Sequence, residues 1–299
     1  PRDGDAVTDL TFGVNVSTSA APGADPVRDA LRAEELGFDF VSASDHPSGT
    51  HPTYETWTML AWIAAATSRV KVASRVLGVP YRSPAMVAKM AESLDRLSGG
   101  RLILGLGGGA SDHELRAFGL SVPTPREKIE GLEEAVNIVR GLWTRPAFDF
   151  DGRIYRTAAA ELEPKPARPI PIWLGTFGPR GLAVTGRCAD GWIPSFDMAP
   201  PERATEMRDV IFAAARAAGR DPPEITCVYN IDVRVDERPV SDPGVVSGSP
   251  EAVTERLRGF VALGFTAMNF VPMGPALDEQ AERLATEVVP LVREGHAPS

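Results

Sequence analysis

The 299-residue sequence predicts an α/β protein folded as a single (β/α)8 barrel over residues 1–299. Three observations carry that expectation. Short apolar runs alternate with longer amphipathic segments from end to end, the sequence form of repeated β-α units around a parallel sheet. About eight such units can be counted, the number that closes a barrel of this kind. Several runs, such as Leu102-Ile103-Leu104, are apolar without alternation, as strands covered on both faces should be.

In chain order the expected strands are Leu10 to Val16, Phe38 to Ser44, Val70 to Leu77, Leu102 to Leu106, Ile170 to Gly175, Gly191 to Ser195, Ile225 to Val235 and Ala267 to Pro272. Helix starts are marked at Ser83-Pro84, Thr124-Pro125 and Ser249-Pro250, where a hydroxyl precedes a proline at the first helical position. Glu127 completes a capping box with Thr124. Ile129, Leu132, Val136, Val139 and Leu142 then form one apolar stripe, as do Leu277, Ala281, Leu284, Val288 and Leu291 near the C-terminus. The pattern breaks at about 148–169 into a Gly-centred turn at Asp151-Gly152 and a Pro-rich stretch, expected to be a hairpin excursion. A second break at about 236–249, rich in Pro, Gly, Ser and Asp, is expected to be a mobile loop.

A net charge of -9 with no Lys/Arg-rich run argues against nucleic acid or an anionic membrane surface as partner and leaves a small molecule. Cys188 and Cys227 stand far apart without metal-ligand spacing, so neither a disulfide framework nor a metal site is implied. Pro1 to Asp9 carry no basic-then-apolar signal and no apolar run nears a membrane span, so a reduced, cytoplasmic protein is expected.

Reactive groups in such a barrel sit where strands end and loops begin. The second strand ends in Ser44-Asp45-His46, which would hold an imidazole over the barrel mouth; His46 can exchange a proton near neutrality. Simple hydrogen bonding in the neighbourhood of Asp45 is the rival role. His51 is expected in solvent. The fourth strand runs into Gly107, Gly108 and Gly109, whose missing Cβ atoms would let a flat or phosphorylated ligand approach the backbone. Asp112, His113 and Glu114 follow, more readily as caps of the next helix than as cavity groups. After the fifth strand, Gly175, Thr176, Phe177, Gly178, Pro179 and Arg180 combine small residues, a hydroxyl and a helix N-terminus, as a phosphate site requires. Thr176 would add a hydrogen bond and Arg180 a charge. Trp173, Phe177, Trp192 and Phe196 either wall a ring-shaped ligand or belong to the core. No HExxH, GxSxG or Walker sequence is present.

Taken in order, these edges resemble the luciferase-like superfamily of flavin-dependent and deazaflavin-dependent oxidoreductases. The resemblance rests on Ala33-Glu34-Glu35-Leu36-Gly37-Phe38-Asp39, Ser44-Asp45-His46, Leu77 to Val79 with Pro80-Tyr81-Arg82-Ser83-Pro84, and Leu94-Asp95 to Ser98-Gly99-Gly100-Arg101. Ala117-Phe118-Gly119, Glu163-Pro164-Lys165-Pro166, Pro171-Ile172-Trp173-Leu174-Gly175, Ala189-Asp190-Gly191-Trp192 and Ser249-Pro250-Glu251 complete it.

The resemblance implies a luciferase-like barrel with a non-prolyl cis peptide near Arg75-Val76 against the cofactor ring. It further implies that Asp45, the glycines at 107–109 and the loop from Gly175 to Arg180 bind the cofactor, and that His46 lies at the reactive edge. Compactness and the Ser-Asp-His ending resemble the coenzyme F-420 branch, implying hydride transfer between the deazaflavin and a small organic substrate. The alternative is FMN with oxygen, which would require a flavin reductase partner; a third reading is cofactor binding without turnover. Sugar-phosphate dehydrogenases of the F-420 branch carry a glutamate where this chain has Ala110, which sets their substrate in doubt and leaves Asp112, His113 or Glu114 as replacements. A homodimer is the family's expectation.

Overall fold

A computed structural model describes residues 10–296; the reading of Pro1 to Asp9 lies outside them. The barrel strands are β1 (Thr11–Asn15), β2 (Phe40–Ala43), β3 (Lys71–Ser74) with its short continuation β4 (Leu77–Gly78), and β5 (Leu102–Gly107). After an antiparallel excursion, β6 (Phe148–Asp151) with β7 (Arg156–Ala160), come β8 (Ile172–Leu174), β9 (Gly191–Trp192), β10 (Thr226–Val235), its neighbour β11 (Val246–Gly248), and β12 (Ala267–Pro272). The parallel order β12-β1-β2-β3-β5-β8-β9 closes through β9–β10 and β10–β12, giving the eight-stranded barrel that the β-α rhythm predicts. Helices α1 (Pro26–Glu35), α2 (Thr56–Ala66), α3 (Pro84–Leu97), α4 (Asp112–Ala117), α5 (Pro125–Thr144), α6 (Pro179–Cys188), α7 (Pro201–Ala217) and α8 (Pro250–Ala262) join them; α9 (Leu277–Arg283) and α10 (Val289–Glu294) follow the last strand. No helix is long and apolar enough to cross a membrane among the described residues.

The prolines at 84, 125 and 250 each open a helix, and the Thr124–Glu127 capping box is formed. Ser249 caps through its hydroxyl, whereas Ser83 makes no side-chain cap bond. Three expected elements differ. The strand from Val70 is interrupted after Ser74, where the Arg75–Val76 peptide is cis, and resumes at Leu77. The strand from Gly191 loses regular pairing after Trp192 because Pro194 has no N–H to donate; Ser195 rejoins only as an isolated bridge to Asn230. The C-terminal stripe is broken as well: Leu277 is exposed, and residues Leu284–Val288 form a π-turn ahead of Pro290. That proline cannot donate to the carbonyl four residues back, and its ring crowds it. In the stretch 236–249, Val246–Gly248 pair in parallel with β10.

Two apolar layers result. The outer one lies between strands and helices; the inner one is formed by Phe40, Ala73, Ile103, Trp173, Ile193, Val228 and Ala267, which fill the barrel. Inner glycines make room for large neighbours. A Cβ on Gly13 would sit 2.2 Å from the Phe40 ring, and one on Gly191 2.3 Å from Trp173. Side chains alternate along a strand, so the residues two steps beyond this layer face the same interior, nearer the C-terminal edge.

Candidate active site

Two steps past the inner apolar layer the interior turns polar. Ser42 donates to Asn269 Oδ1 at 2.8 Å, Asn269 Nδ2 donates to Asn230 Oδ1 at 3.0 Å, and Asn230 Nδ2 reaches the Ile193 carbonyl at 3.4 Å. Arg75 Nε donates to Asn15 Oδ1 at 3.1 Å. These bonds satisfy polar groups that would otherwise be costly to bury. Above them a cavity of about 300 Å³ opens between Arg75, Ser195, Phe196, Asn230 and Asp232.

His46 lies on the loop after β2 with its side chain 59% exposed, and its Nδ1 lies 3.1 Å from Glu114 Oε1. Glu114 is buried on α4, and its second oxygen accepts the Tyr81 hydroxyl at 2.6 Å. Glu114 is therefore a partner of His46, which corrects its expected capping role. A carboxylate partner only accepts, so in the neutral ring the proton sits on Nδ1 and the lone pair is left on Nε2. Burial, reinforced by the bond to Glu114, raises Tyr81 far above the ordinary phenol range and keeps it a donor. Neither neighbour of Glu114 joins this site: Asp112 is held by Lys128 at 2.5 Å, and His113, like His51, is exposed.

Asp45 is almost wholly buried. It accepts two bonds from Arg82, at 2.7 and 3.0 Å, and one from the Gly78 amide at 3.0 Å. Burial opposes the Arg82 charge, but its bonds to Asp45 and Glu55 outweigh that and raise it. Glu55 in turn caps α2. The planar guanidinium thus ties the loop carrying His46 to two other elements. Sequence reasoning missed Tyr81 and Arg82 as functional residues although both lie in the motif it singled out. The interior asparagines escaped it too, and counting by two from the apolar layer would have found them.

The glycine runs also make room within the protein itself. A Cβ on Gly107 would lie 2.6 Å from Val76 Cγ2, one on Gly175 3.3 Å from the same atom, and one on Gly109 3.0 Å from Pro80. The Gly108 position abuts the Lys128 backbone at 3.1 Å, and Gly109 has φ +84°. Protein atoms occupy this space, chiefly the Val76 side chain reaching toward β5 and β8. In the loop before α6, Thr176 is buried with its hydroxyl 2.7 Å from that of Thr185. Arg180 is exposed, and Phe177 packs partly against the core. Gly178 differs: it is the N-cap of α6, supplies no capping side chain, and its missing Cβ faces open space. The first-turn amides of a helix, bare at that end, favour an anion. Trp192 and Trp173 are core residues, the first stacked on Phe265 and the second edge-on to Phe40; Phe196 lines the cavity.

The chain is similar to known proteins along most of its length. It is 29% identical over 311 aligned residues to the F-420-dependent glucose-6-phosphate dehydrogenase of Kineococcus radiotolerans, covering 88% of this chain and 91% of that one. It is 32% identical over 243 residues to the protein of the same description from Nakamurella multipartita, covering 78% and 71%. Among solved structures, an F-420-dependent secondary alcohol dehydrogenase in complex with an F-420–acetone adduct superposes with a TM-score of 0.86 at 21% identity, over 95% of this chain and 99% of that one. The coenzyme F-420-dependent tetrahydromethanopterin reductase of Methanopyrus kandleri follows at 0.81 and 19%, over 94% and 99%. The sequence profile of the luciferase-like monooxygenases matches residues 8–241. With the barrel, the mouth and this match in agreement, the chain belongs to the luciferase-like monooxygenase family.

Proposed function

We propose that this protein is a coenzyme F-420-dependent oxidoreductase that moves a hydride between the deazaflavin and a small organic substrate. The observation that carries the reading is the exposed His46 ring, backed by Glu114 and Tyr81, at the mouth of a barrel whose relatives of about 30% identity are described as F-420-dependent. The uncapped α6 N-terminus at Gly178 fits a phosphate, and the Val76 side chain, with Gly107 and Gly175 beneath it, forms a close-packed wall for a ring. Bound there, the deazaflavin would supply the hydride chemistry.

The chain's own residues have narrower roles. His46 Nε2 takes up or returns the proton that accompanies the hydride, while Glu114 holds the ring orientation and stabilises its charged form. Asp45 and Arg82 act as positioning residues for the His46 loop. Glu114 supplies a carboxylate beside the histidine although position 110 is an alanine. That arrangement weighs against a cofactor-binding protein without turnover. FMN with oxygen and a partner reductase remains the second reading.

Parallel equilibrium titrations with oxidised F-420 and FMN, read by fluorescence quenching, test the proposal. A preference for F-420 of about tenfold or more is expected, roughly 1.4 kcal/mol; preference for FMN would overturn it in favour of the oxygen-dependent reading. Two copies are expected to pair. Trp62 on α2 and Met86 on α3 are 71% and 56% exposed, large apolar areas for a lone chain. Light scattering during size exclusion checks this, and a monomer mass would refute it.

A further inference from the structure

Arg75 is expected beside the cofactor ring through its cis peptide with Val76, but no role given above uses its side chain. It lies two residues beyond Ala73 of the inner apolar layer. Among the described residues its guanidinium makes a single hydrogen bond, from Nε to Asn15; the two terminal nitrogens have no partner there and are not sealed from the cavity. Asp232 lines the same cavity, but no carboxylate oxygen among the described residues comes within ion-pair distance of Arg75. Burial lowers Arg75 with Asp232 only partly offsetting it, and burial raises Asp232 with Arg75 only partly offsetting that. Arg75 is set back from solvent while Asp232 is exposed at the rim, and a guanidinium in such a place is ordinarily matched by an acceptor because it is costly to desolvate alone. Here about 300 Å³ of cavity lies open to both, and Asp197, Ser195 and Asn230 complete the polar wall.

We propose that this open ion pair is the substrate subsite, and that it takes a small acid bearing a hydrogen-bond donor next to its carboxylate. The carboxylate lies across the two terminal nitrogens of Arg75, the geometry a guanidinium fork favours. The neighbouring donor, a hydroxyl or an amino group, lies on Asp232. An apolar alcohol would leave both charges bare. A phosphomonoester would bring two negative charges against Asp232 and Asp197, which disfavours it. With two carboxylates in the wall, a 2-amino acid is the better fit and a 2-hydroxy acid the weaker one. The subsite rests on the hydride-transfer reading for its role as a substrate site, while its occupancy can be measured independently of turnover.

The test is isothermal titration of short-chain 2-amino acids, 2-hydroxy acids, their methyl esters and glucose 6-phosphate into wild-type protein, both free and loaded with oxidised F-420. At least one free acid is expected to bind, with its ester about tenfold weaker or worse and the sugar phosphate silent. Arg75→Gln should weaken the acid by about 10- to 100-fold, in line with loss of a charged hydrogen bond. Asp232→Asn should weaken the amino acid more than the hydroxy acid and serves as the second variant if Arg75→Gln fails to fold by circular dichroism. A silent acid panel, equal binding of acid and ester, or undiminished binding by Arg75→Gln overturns the subsite while leaving F-420 quenching intact. Failure of F-420 to bind overturns the cofactor reading instead, and the titrations into free protein still decide the subsite.

Discussion

Adding one methyl at Gly107 tests why the barrel mouth is built from glycine. An ideal Cβ there sits 2.6 Å from Val76 Cγ2, inside the 3.0 Å limit that real Cβ atoms respect, but 3.8 Å from Val76 Cβ. Gly107→Ala must therefore displace the isopropyl group, and overpacking of this kind costs about 1–3 kcal/mol. Val76→Ala alone removes two methyls that pack over Gly105, Gly107 and Gly175, a loss of about 1–3 kcal/mol once the cavity is included. Combined, the new methyl meets the shortened side chain at ordinary contact distance. The double variant should then cost less than the sum of the singles, by a coupling of about 1–2 kcal/mol. Urea denaturation of the four proteins measures this, with unchanged m-values as the condition for comparing them. Additivity within about 0.5 kcal/mol would refute the packing account. If Gly107→Ala left stability untouched and weakened F-420 binding, the missing Cβ would serve ligand approach after all.

Other outcomes follow from the same geometry. His46→Ala is expected to lower turnover by about 10²- to 10⁴-fold with F-420 affinity little changed, and Glu114→Gln by about 10- to 100-fold; steady-state rates beside quenching titrations check both, and unchanged turnover would remove His46 from the mechanism. Burial works against the Glu34 carboxylate, but the amides of Val70, Arg69 and Ser68 outweigh it and lower its pKa from 4.5 to about 2. A depressed folded-state pKa gives stability that is full above 4.5 and lost as pH falls toward 2. Thermal melts across that window should show a shallower loss for Glu34→Gln than for wild type; parallel curves would contradict the assignment. Burial pushes the thiols of Cys188 and Cys227 up to about 12, so neither should react with a disulfide reagent at pH 8 until the protein is unfolded. A prompt reaction in the native state would show that one is reachable.

The alternation of apolar runs and capped helices was enough to specify the barrel, because strand and helix periodicities, proline at N1 and the Thr124–Glu127 box act over a few residues. The same locality made the place of His46 after β2, the start of α6 and the hairpin at Phe148–Ala160 legible. Pro194 and Pro290 were also visible in the chain, and only their effect on neighbouring pairing was missed. What tertiary structure alone decided are the relations between residues from different strands: His46 with a glutamate 68 positions away, Asp45 with Arg82, Val76 in the space above Gly107, and Arg75 facing Asp232 across a cavity. Barrel closure brings these together. A side chain's chemistry at the mouth depends on which strand lies beside it, and that neighbour is set by the parallel order and the two-residue alternation of the whole barrel, not by the residues adjacent in sequence.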